Sequence, residues 1–477
     1  MRRAWTLGVA MGLGAVVACG GSSTPSTTVT GSRLVTYWKD DGSVVAQPPP
    51  DLAQTAVSAL VQEGAGWREA PGTIAADGTF TIPDVGTGNY TLRVVLPNTP
   101  PRYYPESSRH IDLGTDLVGR PTRPLATQST LVTFSLSNLE PWATGDGLTL
   151  ISTGARLNTS VPAAPIAGAT SVEYALDFLN RPLPEAGDQG WVLQTTHLVA
   201  GPRAVPCTAV VRSAAVATSA SLPDGGSVTL PLALSTAPQA TVTADVRRSQ
   251  FAALLPELAP GGTATISAFN VAVRAVPRDF SVYYAPFYAS LLTASLPAGT
   301  DDVDLGTVSY ARPFPTWFTE VRAVEWLVTM QIPAALGASA GSITFQASRI
   351  ERLAGAPSVI VPTLGPARQP RIAGLDALQA QAGVGLTPTL SWSRPALGAA
   401  SRYSVTVWEL GGSVPVSRGS LVVTGTSVVL PPALLEPGKV YFAGITAVSE
   451  PGWDPAAPYR YAAPRELVPF VTAPFSP

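Results

Sequence analysis

Beyond residue 30, apolar and polar residues alternate with a period of two in short runs. The stretches "TFTIPDV", "YTLRVVL", "VEWLVTMQI", "SVTVWEL" and "TSVVLP" alternate or run as β-branched segments, each bounded by Gly, Pro, Asp or Asn. Turn signals such as Asp41-Gly42, Asp77-Gly78 and Pro223-Asp224-Gly225-Gly226 recur between them. With 47 prolines and 43 glycines, long helices have little room. The best short helix is "SQFAALLPEL", with Ser249 as its expected N-cap and Pro256 breaking it. Within "DGTFTIPDVGTGNYTLRV", Phe80 and Ile82 point one way and Tyr90, Leu92 and Val94 return, which predicts a hairpin with one buried face. Residues 326–348 carry no charge, yet Trp326, Val328, Met330 and Ile332 alternate before Pro333, so two strands and a turn are expected rather than a spanning helix. The pattern as a whole predicts an all-β chain of tandem β-sandwich domains.

The N-terminus departs from this pattern. Met1-Arg2-Arg3 is followed by an uncharged run from Ala4 to Ala18 and then Cys19. At about 1.5 Å per helical residue the run is too short for a hydrocarbon core of roughly 30 Å, and it reads as the apolar part of a signal peptide. Val16-Val17-Ala18-Cys19 resembles the lipobox of bacterial lipoproteins. The resemblance implies removal of residues 1–18 and acylation of Cys19 on its thiol and its new amine. Gly20, where familiar lipoproteins retained at the inner membrane carry Asp, implies export to an outer membrane. Residues 19–30, rich in Gly, Ser, Thr and Pro, are expected to be a flexible tether.

Composition narrows the function classes. The chain of 477 residues is 45% hydrophobic and only 13% charged, with a formal net charge of −2. It can build real cores, and it has no basic stripe to neutralise phosphates, which argues against nucleic acid. With Cys19 lipidated, Cys207 in "VPCTAVVR" is left as a solitary strand residue expected to be buried.

Two segments carry family resemblances. In residues 31–125, Gly78-x-Phe80-x-Ile82-x-x-Val85-x-x-Gly88-x-Tyr90-x-Leu92 resembles the carboxypeptidase regulatory-like domain, a transthyretin-like β-sandwich. The Pro48–Leu52 insertion departs from that pattern. Residues 366–477 resemble a fibronectin type III domain, which implies Trp392 as the core tryptophan and Tyr441 of Leu435-x-Pro437-Gly438-x-x-Tyr441 as a corner tyrosine. The tail from residue 450 is longer than that fold needs. Residues 126–365 match no familiar pattern and stand as an unassigned β-rich central domain. Asp112-Leu113-Gly114-Thr115 and Asp304-Leu305-Gly306-Thr307, each followed after four intervening residues by Arg-Pro, read as equivalent strands closing two modules.

Catalytic constellations are sparse. Gly337-Ala338-Ser339-Ala340-Gly341 matches a nucleophile elbow, but a strand follows it and both histidines, His110 and His197, precede it, so a hairpin turn is expected. Two histidines and one thiol cannot build a His/Cys zinc site, and Asp301, Asp302 and Asp304 read as an acidic turn. No catalytic residue, cofactor or metal is expected. The aromatic clusters "RDFSVYYAPFYASLL" and "YARPFPTWF" offer Phe280, Tyr283, Tyr284, Tyr288, Phe314 and Trp317 as candidate ligand-binding residues, with cross-strand core packing as the plainer reading. The leading expectation is a non-enzymatic protein of the bacterial envelope, held to the membrane by its lipid, with a structural or interaction role and a protein or polysaccharide partner at the cell surface. The alternatives are a carbohydrate-binding lipoprotein using the aromatic loops and, at lower weight, a carboxylate-based glycoside hydrolase.

Overall fold

The computed structural model describes residues 27–64, 66–161, 165–217, 222–277, 289–411, 414–461 and 463–477. Across them the chain is all-β, and its strands form a series of sandwiches.

In the first module, one sheet orders His110–Asp112, Val29–Ser32, Thr79–Ile82 and Thr73–Ile74. The other orders Gly66–Pro71, Ala56–Glu63, Tyr90–Val95 and Arg102–Glu106. Phe80, Ile82, Tyr90, Leu92 and Val94 all enter the core between the sheets, as the alternation predicts. They do not form a hairpin, however. Thr79–Ile82 pairs with Val29–Ser32, while Tyr90–Val95 pairs with Ala56–Glu63 in the opposite sheet. Residues 83–89, with positive φ at Asp84 and Gly86, carry the chain across. A period of two says which side chains are buried and is silent on which strand supplies the hydrogen bonds. The first strand begins at Val29, fully buried, two residues before the expected domain start at 31. A small sheet of Thr115–Val118, Val35–Trp38 and Val44–Gln47 extends toward the centre of the molecule.

The central region, 126–365, resolves into two sandwiches. The first packs Val172–Asp177, Thr130–Ser137 and Gly226–Ala233 over Leu157–Val161, Gly147–Ser152, Gln189–Ala200 and Val205–Ala217. Thr130–Ser137 shows why: Thr130, Val132, Phe134 and Leu136 are buried and every second residue is not. Pro231, which cannot donate to a ladder, lies on the edge strand Gly226–Ala233. The second sandwich packs Val303–Ala311, Gln239–Val246 and Val359–Ile360 over Ala289–Leu296, Ala264–Pro277, Phe318–Ile332 and Gly341–Arg352. Buried Cys207 pairs with Ala294 where the two lower sheets join.

Two local expectations need correction. Asp112 and Asp304 both accept a hydrogen bond from the glycine N–H two residues on, at 2.8 and 2.7 Å. Around Asp112, though, the chain divides into two strands, parallel to Val29–Ser32 and Val35–Trp38, while Asp304 lies inside one antiparallel strand. The echo is a shared turn, not a shared strand position. The short helix Arg248–Ala252 is capped from across the chain: the Ser249 N–H and hydroxyl donate to Asp302 Oδ1 at 3.0 and 2.7 Å.

The last module faces Leu375–Asp376, Arg368–Ile372, Thr389–Ser393 and Ser427–Val429 against Arg465–Val471, Val440–Ser449, Arg402–Leu410 and Val416–Val423. Trp392 is buried edge-on to Tyr403, 5.1 Å between centroids, and the Tyr441 hydroxyl accepts the Glu436 N–H at 2.9 Å. This is a β-sandwich of two four-stranded sheets, with Trp392 in its core and Tyr441 at a corner.

The modules are not strung on linkers. Ser348–Ile350 pair with Arg465–Leu467, and Ser420–Leu421 pair in parallel with Arg102–Tyr103, so one sheet of 16 strands runs through all of them. Both joins are short, and each stops before a proline that lacks a donor, Pro469 and Pro105. The first module also docks on the centre: Asp40 accepts the Thr153 hydroxyl at 2.6 Å and the Gln189 N–H at 2.7 Å.

Candidate functional site

The chain between Val440–Ser449 and Arg465–Val471 is the segment that seemed too long for its fold, and it reaches back to the first module. Its Ala456 carbonyl accepts the Asp112 N–H at 2.7 Å, and Arg460 pairs with Asp112 at 2.9 Å and Asp116 at 2.6 Å. Tyr459 enters the first module's core, edge-on to Tyr104 at 5.8 Å. Tyr104 is sealed there, and burial holds its hydroxyl proton far more tightly than usual.

Two cavities flank this loop. The larger, about 530 Å³, lies on one face of the long sheet where the first module, the second central sandwich and the last module meet. Arg102, Arg274, Arg402 and Arg465 carry positive charge into its walls. Arg274 grips Glu325 through two hydrogen bonds of 2.8 Å, and Arg402 donates to buried Glu450 at 2.6 Å. Arg402 and Arg465 each lie over the Tyr461 ring, 5.3 and 4.7 Å from its centroid, and Arg402 also lies 4.8 Å from that of Trp453. These charges are largely answered inside the protein.

The second cavity, about 360 Å³, shares Arg102 and Tyr461 with the first and lies between the first module and the centre. Buried nitrogens that make no hydrogen bond occur at both cavities, Arg402 Nε and Arg465 Nε at the first, but at the second Arg123 and Arg156 also have no carboxylate partner among the described residues. Arg33 donates from Nη2 to both oxygens of Asp51, at 2.9 and 3.1 Å, but its buried Nη1 has no hydrogen-bond partner among the described residues. The buried Nε atoms of Arg123 and Arg156 have none either. Arg156 lies over the Tyr37 ring at 5.2 Å, and burial, then the nearby Arg123 charge, pull its pKa down to about 10. Burial also lowers the Arg123 pKa, and Arg120 lowers it further. Arg120 itself is tied to Asp188 and Glu185.

The candidate residues named from the sequence fall elsewhere. Cys19, Phe280, Tyr283, Tyr284 and Tyr288 lie outside the described residues. Phe314 and Trp317 are half-buried and pack with Trp191 and Phe318, at centroid distances of 4.9 Å for Trp191–Phe314 and 4.3 Å for Trp317–Phe318. Pro277, where the described chain stops before residue 278, pairs with Phe318. Ser339 sits in the turn of a hairpin between Phe318–Ile332 and Gly341–Arg352. Asp301, Asp302 and Asp304 face separate partners: Arg203, Ser249 with Arg247, and the Gly306 N–H. Among the described residues, no three His, Cys, Asp or Glu side chains are grouped to hold a metal. The arginine cavities escaped sequence reading because Arg33, Arg123 and Arg156 come from distant segments. The only local signal was an arginine set among small and apolar neighbours, as in "GSRLV" and "TGARLN".

No protein-family model matches the chain, and no curated protein matches it. Among solved structures, the FN1-FN3 domains of chicken CNTN1 are similar at 8% identity and a TM-score of 0.14, covering 88% of this chain and 90% of that one. A streptococcal ancillary pilin is similar at 12% identity and a TM-score of 0.11, covering 70% of this chain and 98% of that one. Nothing further about this chain rests on these likenesses.

Proposed function

We propose that the chain is a lipid-anchored protein of a bacterial envelope, held at the outer membrane through Cys19, whose folded part is a non-catalytic structural or interaction body. In this reading residues 31–125 are a carboxypeptidase regulatory-like module and residues 366–477 a fibronectin type III domain, both accessory types. The observation that carries the reading is the pair of main-chain joins, Ser348–Ile350 with Arg465–Leu467 and Ser420–Leu421 with Arg102–Tyr103. Backbone ladders between modules resist bending in a way that linkers do not. A body so joined, on a tether that starts at Cys19 and ends before the strand Val29–Ser32, suits the display of a fixed surface away from a membrane.

The anchoring is tested by Cys19→Ser. The wild-type chain is expected in the membrane fraction and to incorporate labelled palmitate. The variant should lose the label and leave that fraction or remain unprocessed. Unchanged membrane retention and processing of the variant would remove the anchor from the proposal.

A further inference from the structure

We propose that the cavity between Arg33, Arg123 and Arg156 is a binding site for a small organic oxyanion, a phosphate monoester or carboxylate with an apolar body. Three observations converge on it. First, each of these arginines lines the cavity and carries a buried nitrogen, Arg33 Nη1, Arg123 Nε and Arg156 Nε, that meets no acceptor among the described residues. A buried donor left without a partner costs about 1–3 kcal/mol, and more when charged, so three in one cavity are a large uncompensated demand. Second, the charges do not balance. Arg33, Arg123 and Arg156 line the cavity against the carboxylate of Asp51, and no carboxylate among the described residues pairs with Arg123 or Arg156. Guanidinium groups present planar forks of donors that match the oxygens of phosphate and carboxylate.

Third, the rest of the wall is apolar. Pro49, Leu96, Leu113 and Tyr459 line the same space, and a volume of about 360 Å³ is that of a small-molecule pocket. The insertion Pro48–Leu52, which departs from the family pattern of the first module, supplies Pro49, Pro50 and Asp51 to this wall. Pro50 is exposed and Arg123 half-buried, so the mouth opens beside them. An anionic head among the guanidiniums, with its body against Pro49 and Leu96, would answer the charge that no carboxylate balances.

The test is calorimetric titration of the purified chain with phenyl phosphate and with benzoate, with phenol as the neutral control. Saturable one-to-one binding of either anion, absent with phenol, supports the site, and the ratio of the two affinities assigns the head group. Arg123→Gln should weaken binding about tenfold. It should leave the ligand-free thermal midpoint no lower than that of the wild type, because it removes a charge from among like charges. Asp51→Asn should tighten binding by removing the one carboxylate at the cavity. Absence of saturable binding of both anions at about millimolar concentration overturns the proposal. So does an affinity unchanged in Arg123→Gln, or one weakened by Asp51→Asn while the variant stays folded.

Discussion

Asp40 holds the first module against the centre with a carboxylate that the fold has partly taken out of water. It accepts one hydrogen bond on each oxygen, from Thr153 and from the Gln189 N–H, yet burial outweighs both and raises its pKa above the ordinary 3.8. The nearby Asp188 charge pushes the same way. A carboxylate whose pKa is higher in the folded state contributes stability that is complete below its unfolded pKa and is lost as pH rises through the folded value. The contribution of Asp40 should therefore be larger in mild acid than at neutrality. Asp40→Asn, neutral throughout and able to accept on one oxygen only, should be less stable at every pH. Its deficit in thermal midpoint should shrink as pH rises from about 4 toward 7. A deficit that grows with pH would mean that the charged form is the one the docking favours.

The loop between Val440–Ser449 and Arg465–Val471 shows which kind of contact fastens one module to another. Arg460 makes two ion pairs, but its side chain is 37% exposed, and such pairs contribute at most about 1 kcal/mol each. Tyr459 is only 8% exposed and sits in a foreign core, where truncating an aromatic ring costs about 3 kcal/mol. Tyr459→Ala should accordingly lower the free energy of unfolding in urea by about 3 kcal/mol, and Arg460→Ala, which removes both pairs, by less than about 2 kcal/mol. The reverse order would place the docking in the ion pairs. The excess length of this loop was legible beforehand, since "EPGWDPAAPYRY" outruns the turn a sandwich needs. Its destination was not, because nothing local distinguishes a tyrosine bound for another module's core from one on a surface.

Taken whole, the molecule uses each module to cover the open edges of another. Without the last module, Gly341–Arg352 and Arg102–Glu106 would present unpaired backbone, which invites association with other chains. One apolar cluster also runs from the central strands into the last sandwich, joining Trp326 and Met330 with Val405 and Ile445. Heat should therefore unfold the intact protein in one transition, with circular dichroism and tryptophan fluorescence coinciding. A chain ending at residue 365 should aggregate or lose native structure. Independent folding of the 27–365 and 366–477 pieces, each melting where the intact protein melts, would show that the joins add nothing.

Alternation, turn residues and proline density were enough to establish an all-β chain and its buried faces, because these are local consequences of a pleated backbone with one wet side, while the corner at Tyr441 came from the family resemblance of its motif. Partnership was a different matter. The two strands that read as a hairpin lie in opposite sheets, residues 126–365 divide into two sandwiches, and the first module closes on the last. A strand offers the same donors and acceptors to any neighbour, so only the packing of complete faces selects among them. The meeting of Arg33, Arg123 and Arg156 has the same origin. Three arginines from distant segments share a cavity because separate sheets dock there, and no sequence interval encodes that distance.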